Sequence, residues 1–198
     1  MTADLFLALV GFAFVTSVTP GPNNLMLLAS GVNFGFWRTL PHMAGVGLGF
    51  GFMILALGLG MAQVFETFPQ VHGILRVVGG LYMLWLAWKI ANSGPAGEGK
   101  ARPAPMTFLG AAAFQWVNPK AWAMALGAIA AYAMPANYAL SVVLISLIFV
   151  VINIPSIASW VLFGQGLRRF LADPRHNRLF NVTMAVLLVA SILPLLYV

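Results

Sequence analysis

The sequence predicts an all-α integral membrane protein: six transmembrane helices form two inverted three-helix repeats, and the first helix of each repeat is broken by proline. The composition is 61% hydrophobic and only 7% charged, which leaves no material for a soluble domain. Apolar runs of about 20 residues, the length of a helical crossing, recur six times. A hydrophilic stretch near the middle divides these runs into two sets of three, and proline interrupts the first run of each set.

The elements follow from these runs in chain order. The predicted spans are Leu5–Phe36, Thr39–Phe65, Val71–Ala91, Thr107–Tyr132, Asn137–Leu167 and Leu179–Val198. The residues between the third and fourth spans are rich in glycine and proline, which is typical of a flexible linker. We therefore expect a first three-helix repeat over 1–91, a cytoplasmic linker over 92–106 and a second repeat over 107–198.

Three crossings per repeat would make the second repeat enter the membrane from the opposite side. Broken helices at matching positions of such inverted repeats indicate the central site of a transporter. The alternative is that the two proline interruptions coincide by chance, because proline is ordinary in membrane helices.

The basic residues orient the predicted spans. With six crossings, one side of the membrane carries eight cations and the other carries only Arg76; the eight are Arg38, Lys89, Lys100, Arg102, Arg168, Arg169, Arg175 and Arg178. The positive-inside rule places the eight in the cytoplasm and both termini outside. These cations are spread over short loops and form no basic stripe, so we expect no nucleic-acid partner.

The first break is the segment Thr19-Pro20-Gly21-Pro22-Asn23-Asn24. Each proline removes an amide donor and clashes with the preceding turn, so the helix must open there. Backbone opened at membrane depth is tolerated only against protein or a water-filled cavity, which makes this segment a candidate substrate-binding site. We expect Asn23 and Asn24 to cap a half-helix whose free amides would stabilise a carboxylate.

The second break contains Gln115, Asn118, Pro119 and Lys120, which complete the set of candidate substrate-binding residues. The two amide side chains offer both donors and acceptors. A lysine near a helix centre costs about 2.5 to 3.5 kcal/mol on insertion scales, so it needs a partner. That partner would be a substrate carboxylate, unless the lysine titrates with a coupling proton; the alternative is a long stem that reaches the membrane interface.

Other residues have simpler interpretations. Small-residue pairs predict close helix packing, and they involve Gly31, Gly35, Gly45, Gly47, Gly49 and Gly51. We expect His42 to be a structural hydrogen-bonding residue rather than a proton carrier. Asn153 either marks a kink before Pro155 or lines a cavity.

Several functional classes lack their residues. The sequence has no cysteine, which excludes disulfides and thiol chemistry, and no Asp or Glu lies deep in a predicted span. Nothing resembles a nucleotide-binding loop, a zinc-protease motif or a catalytic triad, so we expect no enzyme, no catalytic residue, no cofactor and no metal. A secondary transporter remains. The alternatives are a membrane scaffold, which leaves both polar breaks unexplained, and a thiol-electron carrier, which the absence of cysteine disfavours.

Three motifs resemble the LysE/RhtB family of amino-acid exporters over the whole chain. They are TPGPN at 19–23, followed by Gly31, Gly35 and Arg38; YMLWLAWKI at 82–90; and QWVNPK at 115–120. The resemblance implies a protein of the bacterial inner membrane that exports small neutral amino acids or related metabolites. The resemblance does not decide between a monomer and a homo-oligomer.

Among the branches of that family, LAWKI and the FQxVN pattern at 114–118 are most similar to the cysteine/O-acetylserine exporters. The homoserine/threonine exporters and the lysine exporters remain as alternative branches. The lysine exporters commonly carry Asp after the Pro-Gly-Pro, where this chain has Asn23, which weakens a cationic substrate.

Overall fold

The structure, a computed structural model, describes residues 1–61, 67, 69–92 and 104–191. All regular secondary structure in these residues is helical, so the all-α prediction is confirmed. The α-helices are α1 Ala3–Val18, α2 Pro22–Phe34, α3 Phe36–Ala56, α4 Pro69–Ala91, α5 Phe108–Phe114, α6 Pro119–Tyr132, α7 Tyr138–Leu167 and α8 Pro174–Ala190. Most of the predicted linker (93–103), and the ends of the second and sixth predicted spans, lie outside the described residues.

Two helical stretches of the described chain are long and apolar enough to cross a membrane. They are Phe36–Gly60 and Pro135–Leu167, and the bent pair α1 and α2 makes a third if it is one span. Val77–Ala91 and Phe108–Val117 are shorter apolar helices. Large apolar side chains point outward on several helices, for example Leu109, which is 76% exposed. This outward apolar surface is what a bilayer covers and water does not.

Both predicted breaks are present. The chain bends by 53° between α1 and α2, and Pro22 occupies the first turn of α2. In the second half, α5 is followed by a single 3₁₀ turn, Gln115–Val117, and α6 begins at Pro119. Proline is favoured at a helix start because its missing amide would have no partner there. Both prolines therefore restart a helix.

Helices of the first half of the chain pack against helices of the second half. The second long helices, α3 and α7, are in contact, and so are the last helices, α4 and α8. The broken helices meet through α1 and α6. In addition, α1 and α2 pack on α7, and α5 packs on α3.

Glycine allows two helix crossings to be close, that of α2 with α7 and that of α3 with α5. A Cβ atom on Gly31 of α2 would overlap the Val161 carbonyl of α7, and one on Gly164 would overlap the Leu28 carbonyl of α2. Gly45 and Gly49 lie in the same way against Phe108 and Ala112 of α5. The prediction of close packing is confirmed for Gly31, Gly45 and Gly49, and also for Gly47 and Gly51, which face Ile154 and Val150 of α7. Gly35 instead makes the turn between α2 and α3, where its φ is +79°.

Candidate functional site

The end of α1 and the start of α2 expose both kinds of backbone polar group. Helix α1 is capped by Thr19, whose backbone is extended, and α2 starts at Pro22, directly after the extended Gly21. The last carbonyls of a helix lack amide donors, and its first amides lack acceptors. The opening thus brings the negative end of one helix dipole close to the positive end of the next.

The prediction that Asn23 and Asn24 cap this half-helix is wrong. The N-cap of α2 is Gly21, and no side chain bonds to the first amides of the helix. Both asparagines lie inside the first turn, so their side chains point away from those amides. Asn24 Nδ2 donates instead to the Ser17 and Thr19 carbonyl oxygens, at 2.9 and 2.8 Å, and so holds α1 against α2.

Asn23 joins the two halves of the chain. Its Nδ2 donates to Gln115 Oε1 at 2.8 Å, and Gln115 Nε2 donates back to Asn23 Oδ1 at 3.3 Å. Gln115 is fully buried and also donates to the Ala111 carbonyl at 2.8 Å. The two predicted breaks are therefore directly bonded to each other across 92 residues of sequence.

The second break carries the side-chain cap that the first lacks. Asn118 is the N-cap of α6, and its Oδ1 accepts the Lys120 amide at 3.1 Å. The Lys120 side chain crosses to the first break, where Nζ donates to the Thr19 carbonyl oxygen at 2.5 Å and lies 3.5 Å from that of Pro20. The Lys120 side chain therefore turns toward the first half of the chain.

A narrow cavity, with about 20 Å³ open to the centre of a water molecule, lies between the two breaks. Six of the ten predicted binding residues line it: Gly21, Asn23, Asn24, Gln115, Asn118 and Lys120. The other four surround it without lining it. Thr19 and Pro20 present their carbonyls to Lys120, while Pro22 and Pro119 start the two half-helices.

The structure adds lining residues that the sequence did not single out: Thr16, Ser17, Phe50, Ala121 and Met124. Ser17 is 4% exposed, and its Oγ has no hydrogen-bond partner among the described residues. Asn153 also lines the cavity, which was one of the two interpretations that the sequence left open. Helix α7 continues unbroken past Asn153. Ser17 carries no helix-breaking or charge signal, so only its position three residues before a proline could have suggested it.

The prediction that His42 is a structural hydrogen-bonding residue is wrong. His42 is 2% exposed, and neither of its ring nitrogens has a partner within the part of the chain that the structure describes. Its neighbours Met43 and Val46 on α3 belong to an apolar cluster. The nearby hydroxyls of Ser30 and Thr39 bond to each other at 2.8 Å, so they are already paired.

The chain as described offers no metal centre, because none of its residues form a group of three or more His, Cys, Asp or Glu side chains. Lys120 is the one ionisable residue in the cavity lining. The remaining polar groups of that lining are amides and hydroxyls, which suit a small polar ligand without a net charge.

A family model described as LysE type translocator matches residues 14–197. The chain belongs to the LysE-type translocator family. This translocator is 33% identical, over the full length of both chains, to the cysteine/O-acetylserine efflux proteins of Salmonella paratyphi A and of Escherichia coli strain K12. No solved structure matches it. Membership confirms the resemblance drawn from the motifs and identifies a membrane transporter rather than an enzyme.

Proposed function

We propose that this LysE-type translocator exports a small neutral amino acid of the cysteine or O-acetylserine kind across the bacterial inner membrane. The observation that carries the proposal is the cavity between the two breaks, with amide and hydroxyl groups, one lysine and no carboxylate in its lining. Without a carboxylate, the lining offers no ion-pair partner for a cationic side chain. The relatives are named as efflux proteins for cysteine and O-acetylserine, which agrees with a neutral substrate.

The substrate carboxylate would bind at the start of α2, where the Asn23 and Asn24 amides have no helical acceptor. The Ser17 hydroxyl lines the same cavity and has no hydrogen-bond partner among the described residues, so it supplies a second polar group for the substrate besides the helix terminus. Asn153, Asn118 and Gln115 would then surround the rest of the substrate. Phe50 and Met124 give one wall an apolar surface.

The two halves of the chain would form two inverted repeats of three spans each. Transport would occur as these repeats move relative to each other around the cavity. Support comes from the matched contacts: α3 with α7, α4 with α8, and α1 on α7 against α5 on α3. A twofold axis in the membrane plane would relate each of these contacts to itself or to its counterpart. A coupling proton and a homo-oligomer are further parts of this proposal that transport and mass measurements can address.

The test is export by the purified protein in liposomes loaded with radiolabelled cysteine, O-acetylserine, homoserine, threonine or lysine, with and without a proton gradient. We expect cysteine or O-acetylserine to leave fastest and lysine to stay. Asn153→Ala removes a cavity amide and should lower the rate about tenfold, which is about 1.4 kcal/mol of lost binding. Asn92→Ala is the matched control, because the Asn92 side-chain amide bonds to the Trp88 carbonyl and does not line the cavity. Equal rates in protein-containing and empty liposomes for every amino acid would favour the scaffold alternative.

A further inference from the structure

The carbonyl oxygens at the end of α1 form a site for a cation. Thr19 O accepts both the Asn24 side-chain amide at 2.8 Å and the Lys120 ammonium at 2.5 Å, and Pro20 O lies 3.5 Å from the same ammonium. Carbonyls at a helix C-terminus have free lone pairs and the negative end of the helix dipole. They therefore stabilise a positive charge at the rim of the cavity.

The group that fills this position belongs to the other half of the chain. Lys120 stands 101 residues away from Thr19, on the first turn of α6. Its stem crosses over Gly21, where an added Cβ atom would lie 2.6 Å from Lys120 Cδ and 3.2 Å from Nζ. Gly21 has an ordinary extended backbone, with φ of −173°, so the reason for glycine here is the space that the lysine stem needs.

The Lys120 ammonium is attracted by one helix end and repelled by the other. The α1 carbonyls attract it, but the free amides at the start of α2 carry the positive end of a dipole and lie on the same opening. Two positive groups side by side leave room for an anion between them. A zwitterionic amino acid satisfies both ends, because its ammonium group matches the lysine ammonium in charge and in number of donors, while its carboxylate matches the α2 amides.

We propose that the Thr19 and Pro20 carbonyls form the subsite for the substrate's α-ammonium group, and that Lys120 occupies this subsite as a tethered stand-in when the transporter is empty. The substrate displaces the lysine as it binds. Because this inference rests on the proposed amino-acid export, its test must be able to fail separately from that function.

The test uses ethylammonium, which has the ammonium group alone, and propionate, which has the carboxylate alone. Each is titrated into the detergent-purified protein, and the dependence of the melting temperature on ligand concentration gives the dissociation constant. An intramolecular competitor that holds a subsite about nine-tenths of the time weakens an external ligand about tenfold. Lys120→Met should therefore bind ethylammonium about tenfold more tightly than the wild type, with no gain for propionate.

Two further variants make the result decisive. Lys89→Met removes the other described lysine, which lies over the Trp85 ring outside the cavity, and should leave both titrations at their wild-type values. Gly21→Ala keeps the lysine but pushes its stem away from the carbonyls, so this variant should also bind ethylammonium more tightly than the wild type. It provides the test if Lys120→Met does not fold. Unchanged or weaker ethylammonium binding in the folded variants overturns the subsite. If cysteine is exported by the wild type while that result is obtained, the inference fails and the proposed function stands.

Discussion

Ser17 illustrates how a single unpaired group can identify a binding surface. A buried hydroxyl without a partner costs about 1 to 3 kcal/mol, and a ligand atom in the cavity would remove that cost. Thr16 lies beside Ser17 in the same lining, but its hydroxyl already donates to the Phe12 carbonyl oxygen at 2.6 Å. The serine is therefore the hydroxyl of this pair that is available to a substrate.

Ser17→Ala should raise the KM for the exported amino acid about fivefold, the equivalent of about 1 kcal/mol for one hydrogen bond, without lowering the melting temperature. Liposome export at a series of substrate concentrations measures it. Ser159→Ala is the matched control, since that hydroxyl bonds to the Ser156 carbonyl at 2.6 Å and does not line the cavity. An unaltered KM in Ser17→Ala would remove the serine from the binding site.

At the scale of elements, the close crossing of α2 and α7 depends on which glycine faces the partner helix. A Cβ on Gly164 would overlap the Leu28 carbonyl, whereas one on Gly166, two residues further along α7, meets nothing within 4 Å. Overpacking typically costs about 1 to 3 kcal/mol. We expect Gly164→Ala to lower the melting temperature of the detergent-solubilised protein.

Gly166→Ala gives the contrast on the same helix. It should keep or slightly raise the melting temperature, because alanine favours a helix over glycine by up to about 1 kcal/mol. Equal effects of the two substitutions would mean that the α2 and α7 backbones do not approach closely. The comparison holds helix, residue type and membrane depth nearly constant, so the difference reports the crossing alone.

The start of α8 depends on an exposed carboxylate. Asp173 is the N-cap, and its Oδ1 accepts the amides of His176 at 3.2 Å and of Arg175 at 2.7 Å. These two backbone hydrogen bonds hold the pKa of Asp173 below its usual value. Because the folded pKa is the lower one, the charged cap stabilises the protein above the unfolded-state pKa of about 3.9, and this contribution is lost as the pH falls through the folded pKa.

We therefore expect Asp173→Asn, which keeps an acceptor oxygen but cannot titrate, to narrow its melting-temperature difference from the wild type as the pH is lowered from 7 to 3. Melting curves of both proteins in one detergent check this. A difference that does not change with pH would show that the charge of Asp173 does not contribute to the cap.

For the whole molecule, orientation in the membrane is the main open prediction. Eight cations on one side predict cytoplasmic loops at Gly97 and near Arg175 and a C-terminus outside. Reporter fusions at these three positions should give cytoplasmic, cytoplasmic and external signals. A cytoplasmic C-terminus would contradict the six-crossing proposal, and the helices of the two halves would then need another arrangement.

The sequence by itself determined the helical membrane class, the two breaks and the family, because each depends on a local or compositional property. Apolar length predicts spans, proline forbids an unbroken helix at Pro20–Pro22, and TPGPN is a short linear motif. The packing roles of Gly31, Gly45 and Gly49 followed in the same way from spacing along one helix, whereas that of Gly164 did not.

Only the tertiary structure decided which polar groups meet. Nothing in the spacing pairs Asn23 with Gln115, or brings the Lys120 ammonium to the Thr19 carbonyl, because these contacts span 92 and 101 residues. The same limit explains the two wrong predictions. Gly21 rather than an asparagine precedes α2, and the buried His42 ring has no hydrogen-bond partner among the described residues. Whether a polar side chain becomes a cap, a bridge or an unpaired group depends on the neighbouring helices that folding brings into contact.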